Sequence, residues 1–245
     1  MKIQNIEGFE VIDSRGNPTV AARVNLEGSI SALAMVPSGA STGQHEANEK
    51  RDKDANRYLG KGVLGAVNAI NTEISSLLKG KGIFDLLAND KLMIDADGTS
   101  NKSNLGANAI LAVSMASCKL AAIDKKISLY KHLGKSKTYQ LPIPMLNIIN
   151  GGVHANNNLD IQEFMIRPEK INSFTEALRK SFLVIQNLKR LVDNTNVGDE
   201  GGFAPNLQST EEAIKLIYKA IENAGFKPGE DISICLDVAA NELKK

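Results

Sequence analysis

Polar side chains that could act on a small substrate occur in four short segments of the second half of the chain. Residues 150–155 (NGGVHA), 162–166 (QEFMI) and 198–202 (GDEGG) carry a histidine, amides and acidic groups, and Asp237 ends an apolar run. Glycine allows tight turns and close approach of the backbone to a ligand, and strand ends are where α/β folds build sites. We therefore predict an enzyme site for a small anionic substrate.

The acidic residues of these segments favour proton transfer. Glu163 follows Gln162 in a run expected to be mid-strand, where a buried carboxylate is costly unless another group bonds it. If Glu163 and Glu200 share one pocket, burial and mutual repulsion raise at least one pKa, so that the carboxyl can donate a proton near neutrality. His154 beside Gly152 suits contact with an anion, although a lone histidine is also typical of a structural role.

Two further residues have two interpretations each. Asp237 stands where a barrel places a catalytic carboxylate or a ligand for a hard cation, or it caps the helix that follows. Ser41 lies in a small, hydroxyl-rich loop, residues 37–43 (PSGASTG). This loop either closes over a ligand or joins a strand to a capped helix. A phosphate-binding P-loop is excluded, because Gln44 follows Gly43 where that motif requires lysine.

Composition excludes several classes of function. The chain has 245 residues, 42% hydrophobic and 23% charged, which is ordinary for a soluble globular protein. Its net charge of +1 favours neither nucleic acid nor an anionic membrane surface. Cys118 and Cys235 lie in apolar runs, which indicates buried thiols in a reducing compartment. We expect no signal peptide, no stretch of the ~18 apolar residues that span a bilayer, and a cytoplasmic location.

The first half of the chain predicts a small sheet covered by helices. Apolar residues recur with period two through residues 1–37, which indicates three strands in an antiparallel meander. Apolar spacing predicts a helix over residues 62–79 that ends at Gly80. Residues 105–123 are apolar on nearly every side and predict a buried helix. A polar stretch then places a domain boundary near residues 135–140.

The second half predicts alternating strands and helices, as in a barrel or another α/β domain. Two helices begin at Ser-x-x-Glu capping boxes, in which serine and glutamate satisfy backbone donors of the first turn. The predicted strands cover residues 145–149, 159–166 and 232–238, and the capping boxes are Ser173 with Glu176 and Ser209 with Glu212.

Taken in order, these motifs resemble the enolase family from Met1 to about Leu243. The resemblance implies an α/β protein: an α+β N-terminal domain of three-stranded meander plus helices over residues 1–135, then the first part of a TIM-type (β/α)8 barrel over residues 140–245. The motifs that carry it are residues 13–19 (DSRGNPT), 37–43 (PSGASTG), 106–111 (GANAIL) and 236–240 (LDVAA), together with the four polar segments.

The resemblance also implies an activity and roles for individual residues. Enolases reversibly dehydrate 2-phosphoglycerate to phosphoenolpyruvate in glycolysis. Glu163 and Glu200 would form the acidic pair that protonates the departing hydroxyl, with Glu200 as the proton donor. His154 and Gln162 would bind the substrate, as would Glu163, and Ser41 would join them when its loop closes.

The cofactor and the oligomeric state follow from the same resemblance. Asp237 would be the first of three carboxylates that hold a structural Mg²⁺, and Ser41 would bind a second Mg²⁺. Two magnesium ions suit a reaction that creates negative charge next to a carboxylate. The resemblance further implies a homodimer or an assembly of dimers.

The family's barrel is longer than this sequence. A complete barrel takes about 250 residues, so we expect only its first three strands, with an unpaired parallel edge. The lysine base, the other two carboxylates and the phosphate-binding residues of the family are not expected within the 245 residues. Two classes of function remain: half of an enolase, truncated or split and inactive alone, or a non-catalytic binding or assembly protein derived from one.

Overall fold

The computed structural model describes residues 1–134 and 136–243. The chain folds into two compact units, each of which takes in two stretches of sequence. Unit 1 comprises Met1–Gly39 and His45–Thr138, and unit 2 comprises Ala40–Gln44 and Tyr139–Lys245. Ser41 and its neighbours thus group with the unit that contains the four polar segments.

Unit 1 begins with the predicted antiparallel meander. Its strands are β1 (Ile3–Ile12), β2 (Pro18–Leu26) and β3 (Ser31–Val36), in the order β1-β2-β3. The first turn is built on Asp13, whose Oδ1 accepts the backbone N–H groups of Arg15 and Asn17, each at 2.9 Å. The predicted meander is therefore confirmed, and an aspartate-centred turn joins β1 to β2.

Helical segments cover the sheet. The predicted helix over residues 62–79 is present with one turn of π geometry in its middle, and Gly80 follows it with a φ of +79°. Sequence periodicity missed α3, because few of its apolar side chains are buried. The segments are α1 (Leu64–Ala69), the π turn (Ile70–Ile74), α2 (Ser75–Leu78), α3 (Leu86–Asp97), α4 (Ala107–Asp124) and α5 (Leu129–Leu133).

Helix α4 packs against β2 and β3 and forms the centre of the core of unit 1. The prediction of a buried helix is wrong in part, because Leu111, Met115 and Ile123 are 38–50% exposed. With 18 residues and a mean hydropathy of 1.3, α4 also reaches the length and apolar character of a membrane span, which we did not expect in this sequence. Of these residues 56% are buried within the fold, as in the core helix of a globular domain.

Both cysteines are free thiols, and neither is fully buried. Cys118 lies on α4 and Cys235 on β6 (Ile232–Asp237), and both are intermediate in exposure. Burial raises the pKa of the Cys118 thiol above its ordinary value. The prediction of free thiols is confirmed, whereas that of full burial is wrong.

Unit 2 contains an open antiparallel sheet with two helices packed together. Strand β5 is central and runs antiparallel to both neighbours. The barrel is not closed within the described residues. The elements are β4 (Leu146–Asn150), β5 (Glu163–Pro168), α6 (Phe174–Lys189), α7 (Thr210–Asn223) and β6.

The strand directions differ from those of simple β/α alternation, and the expectation of an unpaired parallel edge is wrong. Residues 151–162 join β4 to β5 without a helix that could carry the chain across the sheet, so β5 runs antiparallel to β4. Two helices, α6 and α7, then separate β5 from β6. Each of the two helices reverses the direction of the chain, and so does the entry into the next strand. The chain therefore runs through β6 antiparallel to β5.

The capping boxes predicted at the starts of α6 and α7 are confirmed at their serines. Ser173 Oγ accepts the N–H of Glu176 at 3.1 Å, and Ser209 Oγ accepts the N–H of Glu212 at 3.2 Å. Glu212 Oε2 in turn accepts the N–H of Gln208 at 2.6 Å, one residue before the cap. These bonds satisfy donors that the first helical turn leaves free.

Asp97, the last residue of α3, binds the loop that leads to α4. It is 1% exposed, and its carboxylate accepts the N–H of Leu105 at 2.7 Å and both the N–H and the hydroxyl of Thr99. Burial alone would raise its pKa, but the hydrogen bonds from Thr99 and Leu105 outweigh burial and lower the pKa below 3.8. The carboxylate therefore holds the loop between the two helices in place.

We predict that Asp97→Ala lowers the free energy of unfolding by about 1–3 kcal/mol at pH 7, because the buried N–H of Leu105 loses its acceptor. The pKa of Asp97 is depressed in the folded protein, so its contribution is present above the ordinary carboxyl pKa. That contribution disappears as the pH falls through the folded-state pKa.

Urea denaturation at pH 7 and at low pH measures both effects. Asp95→Ala is the matched control on the same helix, because the side chain of Asp95 is 57% exposed and pairs with the exposed Lys91. We expect the control to change stability by less than about 0.5 kcal/mol. Equal losses in the two variants would contradict the assignment.

Candidate active site

Strand register brings two of the predicted acidic residues side by side. Asn150, the last residue of β4, pairs with Glu163, the first residue of β5, and Glu163 pairs with Asp237, the last residue of β6. Directly opposed residues on antiparallel strands share one face of the sheet. The prediction that Gln162 and Glu163 lie mid-strand is wrong, because β5 begins at Glu163 and not at residue 159. The candidate site therefore lies at the edge where β4 and β6 end.

The loop that carries Glu200 is wrapped around Asn150. The backbone N–H of Asn150 donates to Phe203 O at 2.9 Å, and the carbonyl of Asn150 accepts Asn157 Nδ2 at 2.9 Å. A Cβ atom on Gly198 would lie 2.7 Å from Asn150 Cβ, and one on Gly202 would lie 2.4 Å from Asn150 Oδ1. Only glycine at both positions lets the loop approach this closely.

His154 is tied to the same loop. It ends a short 3-10 turn, Gly152–His154, that Gly152 enters with a φ of +52°. The carbonyl of His154 accepts the N–H of Asp199 at 3.0 Å, and its Nδ1 lies 3.6 Å from Glu200 Oε1. His154 is only 4% exposed. The backbone bond to Asp199 thus holds Glu200 next to a buried imidazole.

Glu163 and Glu200 form one carboxyl pair. The pKa of Glu163 is raised to about 7, first by burial, then by its hydrogen bond to Glu200 and by the charges of Glu200 and Asp237. A hydrogen bond from Gln162 opposes this shift. Glu200 is 43% exposed, and its Oε2 accepts Asn147 Nδ2 at 3.4 Å. Because a hydrogen bond between two carboxyl groups needs a proton on one of them, the pair stores a proton near neutral pH.

Asp237 and Ser41 are placed less tightly than the pair. Asp237 is exposed, and its Oδ1 accepts the N–H of Ala239 at 3.0 Å, where the backbone turns with a φ of +47°. The carboxylate therefore shapes the turn after β6 and also faces Glu163 across the strand pair. Ser41 is half-buried in the segment Ala40–Gln44 that groups with unit 2.

Buried polar atoms without a hydrogen-bond partner are concentrated at this site. Of the eight such atoms in the described part of the chain, five belong to four neighbouring residues: Asn147 Oδ1, both amide atoms of Asn150, His154 Nδ1 and Gln162 Oε1. A buried polar group without a partner is costly, and native proteins have few of them. Their concentration at one sheet edge indicates a place built to receive a polar ligand.

Sequence reasoning placed Asn150 in a candidate segment without a role, and it assigned no role to Asn147 or Asn157. Asn147 binds Glu200, and Asn157 fixes the turn through bonds from its Nδ2 to the carbonyls of Asn150 and Pro205. A signal was present for Asn147 and Asn150, because each interrupts or ends the apolar run that became β4. Asn157 lies among polar neighbours and gave no signal.

Comparison with known proteins identifies the family. The model of the enolase N-terminal domain matches residues 3–133, and that of the enolase C-terminal TIM barrel domain matches residues 138–245. The chain belongs to the enolase family. It is 56% identical to the enolase of Pelagibacter ubique (strain HTCC1062) over 248 residues, an alignment that covers 100% of this chain and 59% of that enolase. Enolases are hydro-lyases, and the chain spans about three-fifths of the length of this relative.

The residues present fit the magnesium ion that enolases use. Mg²⁺ binds carboxylate oxygens and keeps several waters, and Asp237 offers an exposed carboxylate at the end of a strand. His154, Glu163 and Glu200 form a separate group of possible metal ligands that includes a nitrogen, and their ligand atoms all lie within 4.8 Å of one another.

The raised pKa of Glu163 predicts a pH-dependent cost to stability. A carboxyl group whose folded-state pKa exceeds its unfolded value binds more protons in the folded state, so stability falls as pH rises between the two values. For Glu163 this window runs from 4.5 to about 7. We expect Glu163→Gln to remove the cost and to stabilise the protein by about 1–3 kcal/mol at pH 8 relative to its effect at pH 4.

Urea denaturation of wild type and variant at both pH values measures the difference. Glu222→Gln is the control, because Glu222 is an exposed glutamate on α7, and its substitution should have the same effect at both pH values. A Glu163→Gln effect that does not change between pH 4 and pH 8 would show that the carboxyl pair does not hold the extra proton.

Proposed function

We propose that this chain supplies the acid side of an enolase active site, for the reversible dehydration of 2-phosphoglycerate to phosphoenolpyruvate. The observation that carries the proposal is the carboxyl pair: Glu163, with a pKa of about 7, hydrogen-bonded to Glu200 beside a buried histidine. Dehydration expels a hydroxyl group, which leaves readily only when it is protonated. A carboxyl group that retains a proton near neutrality and still releases it easily suits that step.

In this proposal Glu200 delivers the proton. It is the more exposed member of the pair, 43% by side-chain area, and stands on a loop between glycines. Asn147 holds one of its oxygens, and His154 lies near the other. Glu163, fixed at the start of β5, then acts as the store from which the proton reaches Glu200.

His154 and Gln162 bind the substrate in this proposal. Both are at least 96% buried, and each has an atom without a partner, His154 Nδ1 and Gln162 Oε1. An amide oxygen accepts a hydrogen bond from a substrate hydroxyl, and an imidazole can donate one to phosphate or carboxylate oxygens. A bound substrate would thus satisfy atoms that are costly to leave unpaired.

Asp237 would hold Mg²⁺, and Ser41 would approach the same region through its segment in unit 2. When bound, the ion stabilises negative charge that develops on the substrate. Asp237 also contributes directly, since its charge is among the causes that raise the pKa of Glu163. Homodimerisation and a cytoplasmic location are further proposals from the family resemblance.

We also propose that the 245 residues alone do not turn over substrate. The family resemblance implies a lysine base and two more metal carboxylates, and the alignment covers only 59% of the relative's length.

A second candidate function is binding of another polypeptide without catalysis. Helix α6 favours it, because Phe174, Leu178 and Phe182 recur at four-residue intervals and are 37–58% exposed. Such a stripe is typical of a helix face that another element covers.

An assay of 2-phosphoglycerate dehydration with Mg²⁺ tests these proposals. The chain alone should show no turnover, and a fusion that adds the remaining sequence of the Pelagibacter ubique enolase should be active. In the fusion, Glu200→Gln should lower kcat by about 10²–10⁴-fold, the usual contribution of a general acid. Glu222→Gln, on the exposed face of α7, should leave kcat unchanged.

Three experimental results would each contradict one of these proposals. Turnover by the chain alone would refute the need for further residues. An active fusion that tolerates Glu200→Gln would refute the acid role. A correctly folded but inactive fusion would favour the non-catalytic alternative.

A further inference from the structure

Three possible metal ligands converge on one point of unit 2. His154 ends the turn after β4, Glu163 begins β5 and Glu200 lies on the loop before α7, yet their ligand atoms all lie within 4.8 Å of one another. Each side chain reaches the point from a different segment of the chain. The convergence therefore depends on the fold and not on proximity in sequence.

The imidazole gives an independent sign of a ligand. His154 is 4% exposed, and its Nδ1 has no hydrogen-bond partner among the described residues. Its nearest acidic oxygen, Glu200 Oε1, is 3.6 Å away, which is beyond a good hydrogen bond. Because this distance is too long for a good hydrogen bond, a metal ion could bind between the imidazole of His154 and the carboxylate of Glu200.

We propose that His154 Nδ1 and carboxylate oxygens of Glu163 and Glu200 bind a transition-metal ion of the Zn²⁺ class. An imidazole nitrogen with carboxylate oxygens is a donor set that Zn²⁺ and Co²⁺ accept readily, whereas Mg²⁺ prefers oxygen ligands alone. Three protein ligands with one open position is also the usual composition of a reactive zinc site. The site is distinct from the magnesium ligand Asp237.

The geometry requires a moderate closure. In a tetrahedral site, ligands about 2.1 Å from one ion lie about 3.4 Å apart, so a pair of ligand atoms as far apart as 4.8 Å must close by about 1.4 Å. Glu200 can supply that movement, because its side chain is 43% exposed and Gly201 follows it with a φ of +81°. Asn147 Nδ2 already holds Glu200 Oε2, and this contact turns Oε1 towards His154. Such an outer contact orients a metal ligand.

A metal ion bound to His154, Glu163 and Glu200 would prevent acid catalysis by the carboxyl pair. An ion bound to both carboxylates would occupy the oxygens assigned to proton transfer and the nitrogen assigned to the substrate. Zn²⁺ would therefore switch the acid side of the site off. This antagonism rests on the proposed function, whereas the metal binding itself does not.

Titration of the 245-residue chain with Co²⁺, followed by visible absorption, tests the binding without any need for turnover. We expect one Co²⁺ per chain with the absorption of a four- or five-coordinate ion, and no displacement by an equal concentration of Mg²⁺. His154→Gln should weaken Co²⁺ binding at least about 10-fold, since even the loss of an outer-shell contact has effects of that size. His132→Gln, the same substitution in unit 1, is the matched control and should bind as the wild type does.

Glu200→Gln provides a second variant, because a half-exposed loop side chain can be changed without disturbing the core, and circular dichroism confirms folding of each variant. It should weaken Co²⁺ binding as His154→Gln does. Equal Co²⁺ affinity in wild type and in both folded variants would overturn the proposal. So would displacement of Co²⁺ by Mg²⁺, or loss of binding in Asp237→Asn alone. None of these results bears on the dehydration assay, so the two proposals fail separately.

Discussion

The contact between Asn150 and two glycines is the constraint on which the site depends. Asn150 is fully buried at the end of β4, and the loop that carries Asp199 and Glu200 lies directly against its side chain. Backbone bonds from Asn150 to Phe203 and from Asp199 to His154 fix the loop at both sides. The position of Glu200 is thus set by close packing of backbone on one amide side chain, and no helix or strand carries it.

Strand β5 shows how the surroundings of a carboxyl group decide its chemistry. Glu169, just beyond one end of the strand, accepts Ser233 Oγ and the guanidinium of Arg167, and these bonds lower its pKa. Glu163, at the other end, lies against Glu200 and Asp237 and has its pKa raised to about 7. The same residue type is held ionised at one end of the strand by the Ser233 hydroxyl and a cation, and retains a proton at the other because it is buried beside further acids.

Much of the fold followed from local pattern. Period-two spacing identified the meander of unit 1, and serine caps marked the starts of α6 and α7, since both signals depend on neighbours within a few residues. Helix α3 was missed because it buries few apolar residues, among them Met93. The strand directions of unit 2 were wrong because a single strand looks the same in parallel and antiparallel sheets, and only the connections decide.

The sequence by itself determined which residue types are available for chemistry: a histidine, an amide and three carboxylates, each near glycines or in an apolar run. It also determined the family, since ordered motifs along the whole chain are visible without coordinates. Only the tertiary structure decided that Glu163 begins its strand, that Glu163 has a raised pKa, and that His154 lies beside Glu200. The physical reason is that burial, the proximity of charges and the lack of hydrogen-bond partners all depend on how close separate segments lie in space. These segments are 9 residues apart in sequence for His154 and Glu163 and 83 apart for His154 and Asp237. No local sequence pattern encodes the distances between them.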